Sequence, residues 1–465
     1  MVGEQMKKYA SYSYWLETCG DDLTPRPRLN GTVDADIAIL GAGYSGLWTA
    51  WYLLERNPNL RIVILEREIA GFGASGRNGG WCTSGFPTSL DRIEQKYGRS
   101  QAIATHQAMT GAVDEIGRVA QAEGIDIDWQ KSGALMTARG TAQLPSIHHV
   151  AKTMARLGFE DEYQLLDKKQ LEERIRIAGS LGAILLKENA VIHPGKLVRG
   201  LARAVEKRGA TIYEQTNVTS FSGGAYPALH TDFGHVRAGT VILCGESYMS
   251  KLKGVGRQLM PVYSLITLTE PLSQREWDAI GWQQRELVDS CRYTVDYLSK
   301  TIDGRILFGG RGAPYHFRSK IKDSYDRHAE THKMLENNVR TWFPMLKDVK
   351  FTHTWGGPLG WPRDFMPTIA YDPKENVATA RGYTGQGVAT ANLAGRILAD
   401  LITGVDSPIT HLPPVNHRSR SWEPEPFRFL GVRYVQRGFW KIDMKAERTG
   451  EPPTGKSLVE RLTRH

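Results

Sequence analysis

Cysteine is scarce. Four residues in 465, Cys19, Cys82, Cys244 and Cys291, are scattered along the chain without a Cys-x-x-Cys pair. That pattern supports neither a disulfide framework nor a structural zinc site, and it fits a reduced chain, so a cytoplasmic location is expected. Long apolar runs are also missing. No stretch approaches the ~18 uninterrupted apolar residues of a spanning helix. Met1–Leu16 carries lysines but lacks the apolar block of a signal peptide, so no stable membrane insertion is expected. Nor is there a Ser-His-Asp constellation, a His-rich metal spacing or a convincing carboxylate pair. His193 and His353 have no partner at ligand spacing, so no metal is expected. Internal repeats and low-complexity segments are absent.

What is present is an ordinary globular composition: 41% apolar, 23% charged, with twelve Trp and eighteen Tyr. The 59 Lys and Arg exceed the 50 Asp and Glu by nine, and the excess is uneven. Residues 412–465 hold eleven basic against six acidic residues, a net of +5. A basic, aromatic segment such as Phe427–Ile442 suits acidic lipid or nucleic acid. No nucleic-acid module stands behind it, so no nucleic-acid partner is expected. Pro424, Pro426 and the want of a clean helical stripe argue against a membrane-surface helix. A C-terminal arm packed on its own protein is the preferred reading.

The first ordered unit reads strand, turn, helix, strand. Asp36–Leu40 is a short apolar strand, Gly41-Ala-Gly43-Tyr-Ser-Gly46 a turn, and Leu47–Arg56 a helix stopped by Asn57-Pro58. Arg61–Leu65 is a second buried strand ending at Glu66. Parallel strands joined by a helix make a right-handed crossover, the start of a doubly wound sheet. Thr211–Glu214, Thr240–Leu243 and Val377–Ala380 read as further strands of that sheet, and Pro194 opens a helix ended by Gly209. Two segments differ in texture. Residues 100–185 are helix-rich, and 256–345 contain alternating strands such as Leu259–Thr269 and Arg305–Gly309. The expected fold class is α/β, a Rossmann-like nucleotide-binding domain with an inserted α+β substrate domain on a mixed or antiparallel sheet. The expected division is an N-terminal arm 1–33, a discontinuous nucleotide-binding domain 34–99, 186–255 and 346–411, a substrate domain 100–185 and 256–345, and a basic arm 412–465.

The glycine turn has full context. Gly41 permits the tight turn, Gly43 lets the backbone approach a pyrophosphate, and Gly46 lets helix and strand pack closely. The following helix points its amides at the phosphates, so Tyr44 and Ser45 join the site. Glu66, twenty residues after Gly46 and followed by Arg67, can accept ribose hydroxyls and would repel a 2′-phosphate. This is an adenine-dinucleotide site. A second loop, Gly71–Gly80, packs five glycines with Ala74, Ser75, Arg77 and Asn78. Gly73 and Gly79 allow another backbone approach to a long anionic ligand, which a simple NAD enzyme does not need. A third, Arg381-Gly-Tyr-Thr-Gly-Gln-Gly387-Val388, leads into a helix whose N-terminal amides would stabilise negative charge on a reduced flavin. Three loops following one extended molecule point to FAD.

These motifs carry a family resemblance. The sequence resembles the D-amino-acid-oxidase-type flavoproteins, in the glycine oxidase, sarcosine oxidase and γ-glutamylputrescine oxidase branch. The resemblance rests on Ala38–Leu47, Gly71–Gly80, Val191–Val198 and Gly382–Gly387 and covers about residues 34 to 405. The Gly-Ala-Ser-Gly-Arg-Asn-Gly-Gly loop is especially like the γ-glutamylputrescine oxidase group. It implies that Gly41, Gly43, Gly46 and Glu66 hold the ADP half of FAD. Ser75, Arg77, Asn78 and Gly79 then lie along pyrophosphate and flavin, and the Val218 backbone meets adenine. Gly385, Gln386 and Gly387 face the flavin pyrimidine edge, and Gly382 is counted with them as cofactor-binding. Covalent sarcosine oxidases carry a linked cysteine in Gly-Gly-Cys-Gly, where this chain reads Gly309-Gly310-Arg311-Gly312. Cys82 lies close to where some relatives carry a histidine linkage, but a packed cysteine is preferred and the FAD is expected to be non-covalent.

The resemblance further implies an FAD-dependent oxidase of amines or amino acids, acting on CH–NH or CH–NH2 groups. Hydride leaves the carbon beside a neutral nitrogen for flavin N5, the imine hydrolyses, and O2 becomes H2O2. The cofactor supplies the hard step and the protein supplies orientation. Pocket candidates are Tyr263 on Leu259–Thr269, Trp361 where sarcosine oxidases place a carboxylate-binding lysine, Arg363 two residues on, and Tyr383 inside the flavin loop. Aromatic faces suit a cationic amine. The alternatives are a dehydrogenase passing electrons to a quinone or protein carrier, and a non-catalytic flavin-binding protein. A flavin monooxygenase is disfavoured, since no second fingerprint for NADPH is seen. The expected partners are a small amine or amino-acid substrate and O2 or another acceptor. The sequence names neither the amine nor the oligomeric state.

Overall fold

The computed structural model describes residues 9–310 and 315–462. Arg311 and Gly312, on which the comparison with covalent sarcosine oxidases turns, lie outside the described residues.

Ile37–Leu40 (β1) and Ile62–Leu65 (β2) are runs of four apolar residues, too short for a helix and rich in Ile. Such runs pair stably only where both faces are covered, in a parallel sheet. Tyr44–Arg56 (α1) joins them and stops at Asn57, because Pro58 pushes the residue before it out of the helical region. The sheet has six strands in the order Thr368–Asp372, Val377–Arg381, Thr240–Leu243, β1, β2, Thr211–Tyr213. All its pairings are parallel except the outermost, Thr368–Asp372 on Val377–Arg381. The three strands expected beyond the fingerprint all lie in it.

One face of this sheet is covered by α1, by helices Pro194–Lys207 and Arg99–Ala122, and by Gly387–Thr403 (α2). Leu47, Trp48, Leu201, Val113, Ile116, Leu393 and Ile397 meet there in the largest buried cluster. Arg99–Ala122 packs on α2 in the helical layer over the first sheet, although its residues fall in the expected substrate domain. On the other face, a four-stranded sheet of Gly31–Asp34, Gly234–Arg237, Ala228–Thr231 and Val218–Ser222 buries Leu229 and Val236 against Val241 and Leu243.

The second large sheet has eight strands. Met260–Thr269 (β3), Leu287–Ser290 (β4), Asp296–Lys300 (β5), Ile306–Gly310 (β6) and Phe351–Trp361 (β7) run in the order β7, β3, β6, β5, β4, followed by Ala134–Arg139, Ser180–Leu186 and Tyr163–Asp167. Neighbours are antiparallel except β4 on Ala134–Arg139. β7 pairs with β3 from Met260 against Trp361 to Thr269 against Phe351. It belongs to this sheet, whereas the sequence division sets residues 346–411 with the nucleotide-binding part. Every residue of β3 is buried, since one face packs on Trp342 and Phe343 and the other closes over the candidate site.

The C-terminal segment is helical. Phe427–Thr449 forms a helix of 23 residues (α3). Pro424 and Pro426 precede its first turn, where a missing N–H costs nothing, so they introduce the helix rather than prevent it. It packs on its own protein through buried Arg428 and Asp443, as the preferred reading has it. Among the described residues no helix is long and apolar enough to cross a membrane.

Candidate active site

The turn between β1 and α1 shows why the fingerprint needs glycine. Gly41 has φ of +101°, and a Cβ there would lie 2.8 Å from the Cys244 carbonyl oxygen. A Cβ on Gly46 would lie 2.1 Å from the Gly41 carbonyl oxygen. Neither neighbour can yield, because both are backbone. Glu66 sits at the end of β2 and accepts N–H bonds from Ala42 at 3.0 Å and Glu68 at 3.0 Å. Burial pushes its carboxyl above the usual range. The second loop docks onto the first, since Ser75 Oγ accepts the Tyr44 N–H at 2.9 Å. It is clamped from the other side by the N-terminal arm: Ser13 Oγ donates to the Gly76 carbonyl at 2.8 Å and Trp15 Nε1 to that of Asn78 at 2.7 Å. Asn78 turns inward, donating to the Ala74 and Ser75 carbonyls and accepting from Gly80 N–H.

These loops open on one continuous cavity of about 700 Å³. Gly41, Glu66, Arg67 and Val218 line one stretch of it. Gly43, Tyr44, Ser45, Gly73, Ala74, Ser75, Arg77, Asn78 and Gly79 line the next, and Tyr383, Gly385, Gln386, Gly387 and Val388 another. Two of the expected cofactor residues stand behind the wall. Gly46 backs the turn, and Gly382 donates its N–H to Glu246 at 2.8 Å. The N-terminus of α2, seventeen residues long, faces the cavity through Gly387 and Val388, so its unpaired amides favour negative charge there. Thr83 Oγ1 donates to Gln386 Oε1 at 3.1 Å and fixes that side chain.

Arg77 differs from expectation. Its guanidinium lines the cavity but is already engaged, with Nη1 on Asp326 Oδ2 at 2.6 Å and Nη2 on the Tyr248 hydroxyl at 2.7 Å. It ties the cofactor loop to the segment before helix Ala329–Trp342 and is not a free cation for a pyrophosphate.

Of the four pocket candidates, only Tyr383 lines the cavity, with its hydroxyl 2.7 Å from Ser45 Oγ. Tyr263 is a correction. Side chains alternate along a strand, so Ser264 and Ile266 of β3 face the cavity while Tyr263 and Leu265 face the core beneath. There the Tyr263 ring meets His316 and Tyr325 edge-on, and its hydroxyl accepts the Lys322 N–H at 3.1 Å. Trp361 and Arg363 are corrected likewise. Trp361 packs with Met260, Val262 and Trp422. Arg363 pairs with Glu423 at 3.1 Å and lies over the Trp422 ring. Both face the C-terminal segment, which occupies the side that sequence reasoning left open.

Sequence reasoning missed several wall residues. Trp81, Asp289 and Tyr297 line the cavity together with Ser264 and Ile266. The alternation of β4 and β5 is the signal that puts Asp289 and Tyr297 on one face, but it does not say which face is the pocket. Glu246 was missed too. Its carboxylate accepts N–H bonds from Gly360 at 3.1 Å, Gly382 at 2.8 Å and Tyr383 at 3.4 Å, tying the end of β7 to the flavin loop. Burial raises it to about 7. His193, read as a helix-opening residue, caps Pro194–Lys207 by accepting the Lys196 N–H at 3.1 Å. His353 pairs with Glu17. Cys82 is fully buried in the core cluster, does not line the cavity, and its thiol is pushed up by burial.

A glycine turn with no room for a Cβ, a carboxylate at the second strand's end and a long cavity reaching a helix N-terminus fit an adenine dinucleotide extended by a flavin. The fold and site are those of an FAD-binding oxidoreductase. The chain belongs to the FAD dependent oxidoreductase (DAO) family, which matches residues 36–401, and its cofactor is FAD. It is 30% identical over 399 residues to gamma-glutamylputrescine oxidoreductase of Escherichia coli K12, covering 84% of this chain and 89% of the relative. It is 22% identical over 391 residues to the sarcosine oxidase beta subunit of Rhodobacter capsulatus, covering 80% and 86%. Its fold is similar to the crystal structure of glycine oxidase from Geobacillus kaustophilus, with a TM-score of 0.71, 20% identity, and coverage of 84% of this chain and 100% of that one.

Proposed function

We propose that the protein is an FAD-dependent oxidase of a small amine or amino acid, with FAD held non-covalently. The observation that carries this reading is that one cavity continues from the dinucleotide turn past the α2 N-terminus to Trp81, Asp289 and Tyr297. It is supported by the substrates named for its relatives, gamma-glutamylputrescine and sarcosine, both amines. Bound along the glycine loops, FAD supplies a two-electron acceptor beside the substrate carbon.

The chain's own residues orient and dry the site. Gly41 and Gly43 let the backbone reach the pyrophosphate, and Glu66 is placed for ribose hydroxyls. The α2 amides at Gly387 and Val388 favour negative charge at the far end. Ile266, Leu359 and Pro358 exclude water from the reacting carbon, and the same desolvation lowers an amine's pKa toward the neutral form that can give up hydride. Net, R–CH2–NH2 with O2 and water yields R–CHO, NH3 and H2O2. The inserted sheet supplies the substrate wall and the six-stranded sheet the cofactor wall.

Oxygen uptake by the purified holoenzyme, followed together with peroxide during turnover of primary and secondary amines, tests this. Peroxide formed one-for-one with oxygen consumed is the expected result. Amine-dependent reduction of a quinone or dye with negligible oxygen uptake would replace the oxidase by a dehydrogenase.

A further inference from the structure

Among the described residues Asp289 is a carboxylate without a partner. It is partly buried on β4, faces the cavity, and among the described residues its side chain makes no hydrogen bond or ion pair. Its backbone carbonyl accepts from Thr137 Oγ1 at 2.8 Å. Its surroundings are aromatic. Asp289 stands directly opposite Tyr297 across the β4–β5 pair, and the Tyr297 ring lies 5.9 Å from that of Trp81, edge to face. Burial, with the nearby Asp296 carboxyl, raises Asp289 well above the ordinary carboxylate range. An ionised, unpaired carboxylate in such a wall is costly, and an arriving cation removes the cost.

Among the described residues the cations of the cavity are all committed. Arg67 leans on Glu68 and the Tyr248 ring, Arg77 on Asp326 and Tyr248, and Lys251 Nζ donates to the Arg318 carbonyl. None is on β4 or β5. Among the described residues this wall holds one free carboxylate and two aromatic faces and no free cation, a lining that selects a positive group over a substrate carboxylate.

We propose that Asp289, flanked by Trp81 and Tyr297, is the specificity anchor for a second ammonium group, so that the substrates are diamine-type or polyamine-type amines rather than simple α-amino acids. This rests on reading the chain as an amine-oxidising flavoenzyme. The anchored nitrogen is not the one oxidised. A carboxylate beside the reacting nitrogen would hold its proton on and oppose hydride loss, whereas one beside a distant ammonium binds without that penalty. Asp289 is thus a binding residue, and it acts on which substrate is held.

The test is an anaerobic titration of the yellow holoenzyme with 1,4-diaminobutane and with 1-aminobutane, which lacks the second charge. The readouts are the perturbation of the visible flavin spectrum and the concentration that half-saturates flavin reduction. The diamine is expected to bind at least tenfold more tightly. Asp289→Asn should bring it to the monoamine's level, and Asp289→Glu should restore part of the preference. Equal binding of the two amines by the wild type, or a preference undiminished in Asp289→Asn, would overturn the proposal. Diamine-selective binding that never bleaches the flavin would support the anchor while sinking the oxidase reading. Bleaching by amines without charge preference would do the reverse.

Discussion

Glu246 couples the site to pH. Its carboxyl is raised from 4.5 to about 7 by burial, against the pull of three backbone N–H groups. Between those values the folded protein keeps a proton that the unfolded chain releases. The group's contribution is therefore complete below about pH 4.5 and lost as pH rises through 7, an effect of up to about 3 kcal/mol. Glu246→Gln keeps an acceptor and removes the titration. In urea unfolding of the apoprotein at pH 5 and pH 8, the wild type should lose more stability than Glu246→Gln by that order. Parallel losses would contradict the assignment. At Gly46, substitution by Ala places Cβ against the Gly41 carbonyl oxygen and must open the turn. FAD affinity should fall at least tenfold, read as a lower flavin-to-protein absorbance ratio after gel filtration. At this scale the glycine turn was legible because the backbone itself demands it: a missing Cβ leaves a mark that spacing preserves. Which side chains of β3 line the cavity was not legible. Tyr263 and Ser264 differ by one position on β3, and one position decides between core and cavity.

Among elements, α3 acts on the site without touching it. Asp443 accepts N–H bonds from Tyr293 at 3.0 Å and Thr294 at 2.9 Å, and the Thr294 hydroxyl at 2.7 Å. These residues form the turn joining β4 to β5, the two strands that carry Asp289 and Tyr297. The turn is strained, since Val295 adopts φ of +48°, which a β-branched residue rarely does. Three bonds to one carboxylate hold it there. Asp443→Ala should cost about 2–4 kcal/mol in urea unfolding and weaken amine binding with little change in FAD content. Unchanged amine binding would detach α3 from the site. The arm's packing followed from composition, but its helix did not. Pro424 and Pro426 were weighed only against a membrane-surface helix, and the buried anchors Arg428 and Asp443 are polar, so they leave no apolar stripe to read.

At the scale of the molecule, two sheets face one another across a single cavity. The six-stranded sheet was readable strand by strand because doubly wound topology obeys few rules: short apolar runs, right-handed crossovers, a glycine turn at the first. The eight-stranded sheet was readable only as a texture. Its strands come from residues 134–186 and 260–361, and antiparallel order depends on long-range pairing that periodicity does not encode. Each sheet supplies part of the cavity wall. Together they put the glycine loops and an aromatic, acidic wall around the same space, which is the basis for proposing amine oxidation.

The most direct test of that assignment is an anaerobic absorption scan of the purified yellow protein during addition of an amine bearing a second ammonium group. The account predicts full two-electron bleaching of the visible flavin bands at roughly one amine per flavin. A flavin that stays oxidised with every diamine, monoamine and amino acid offered would contradict it.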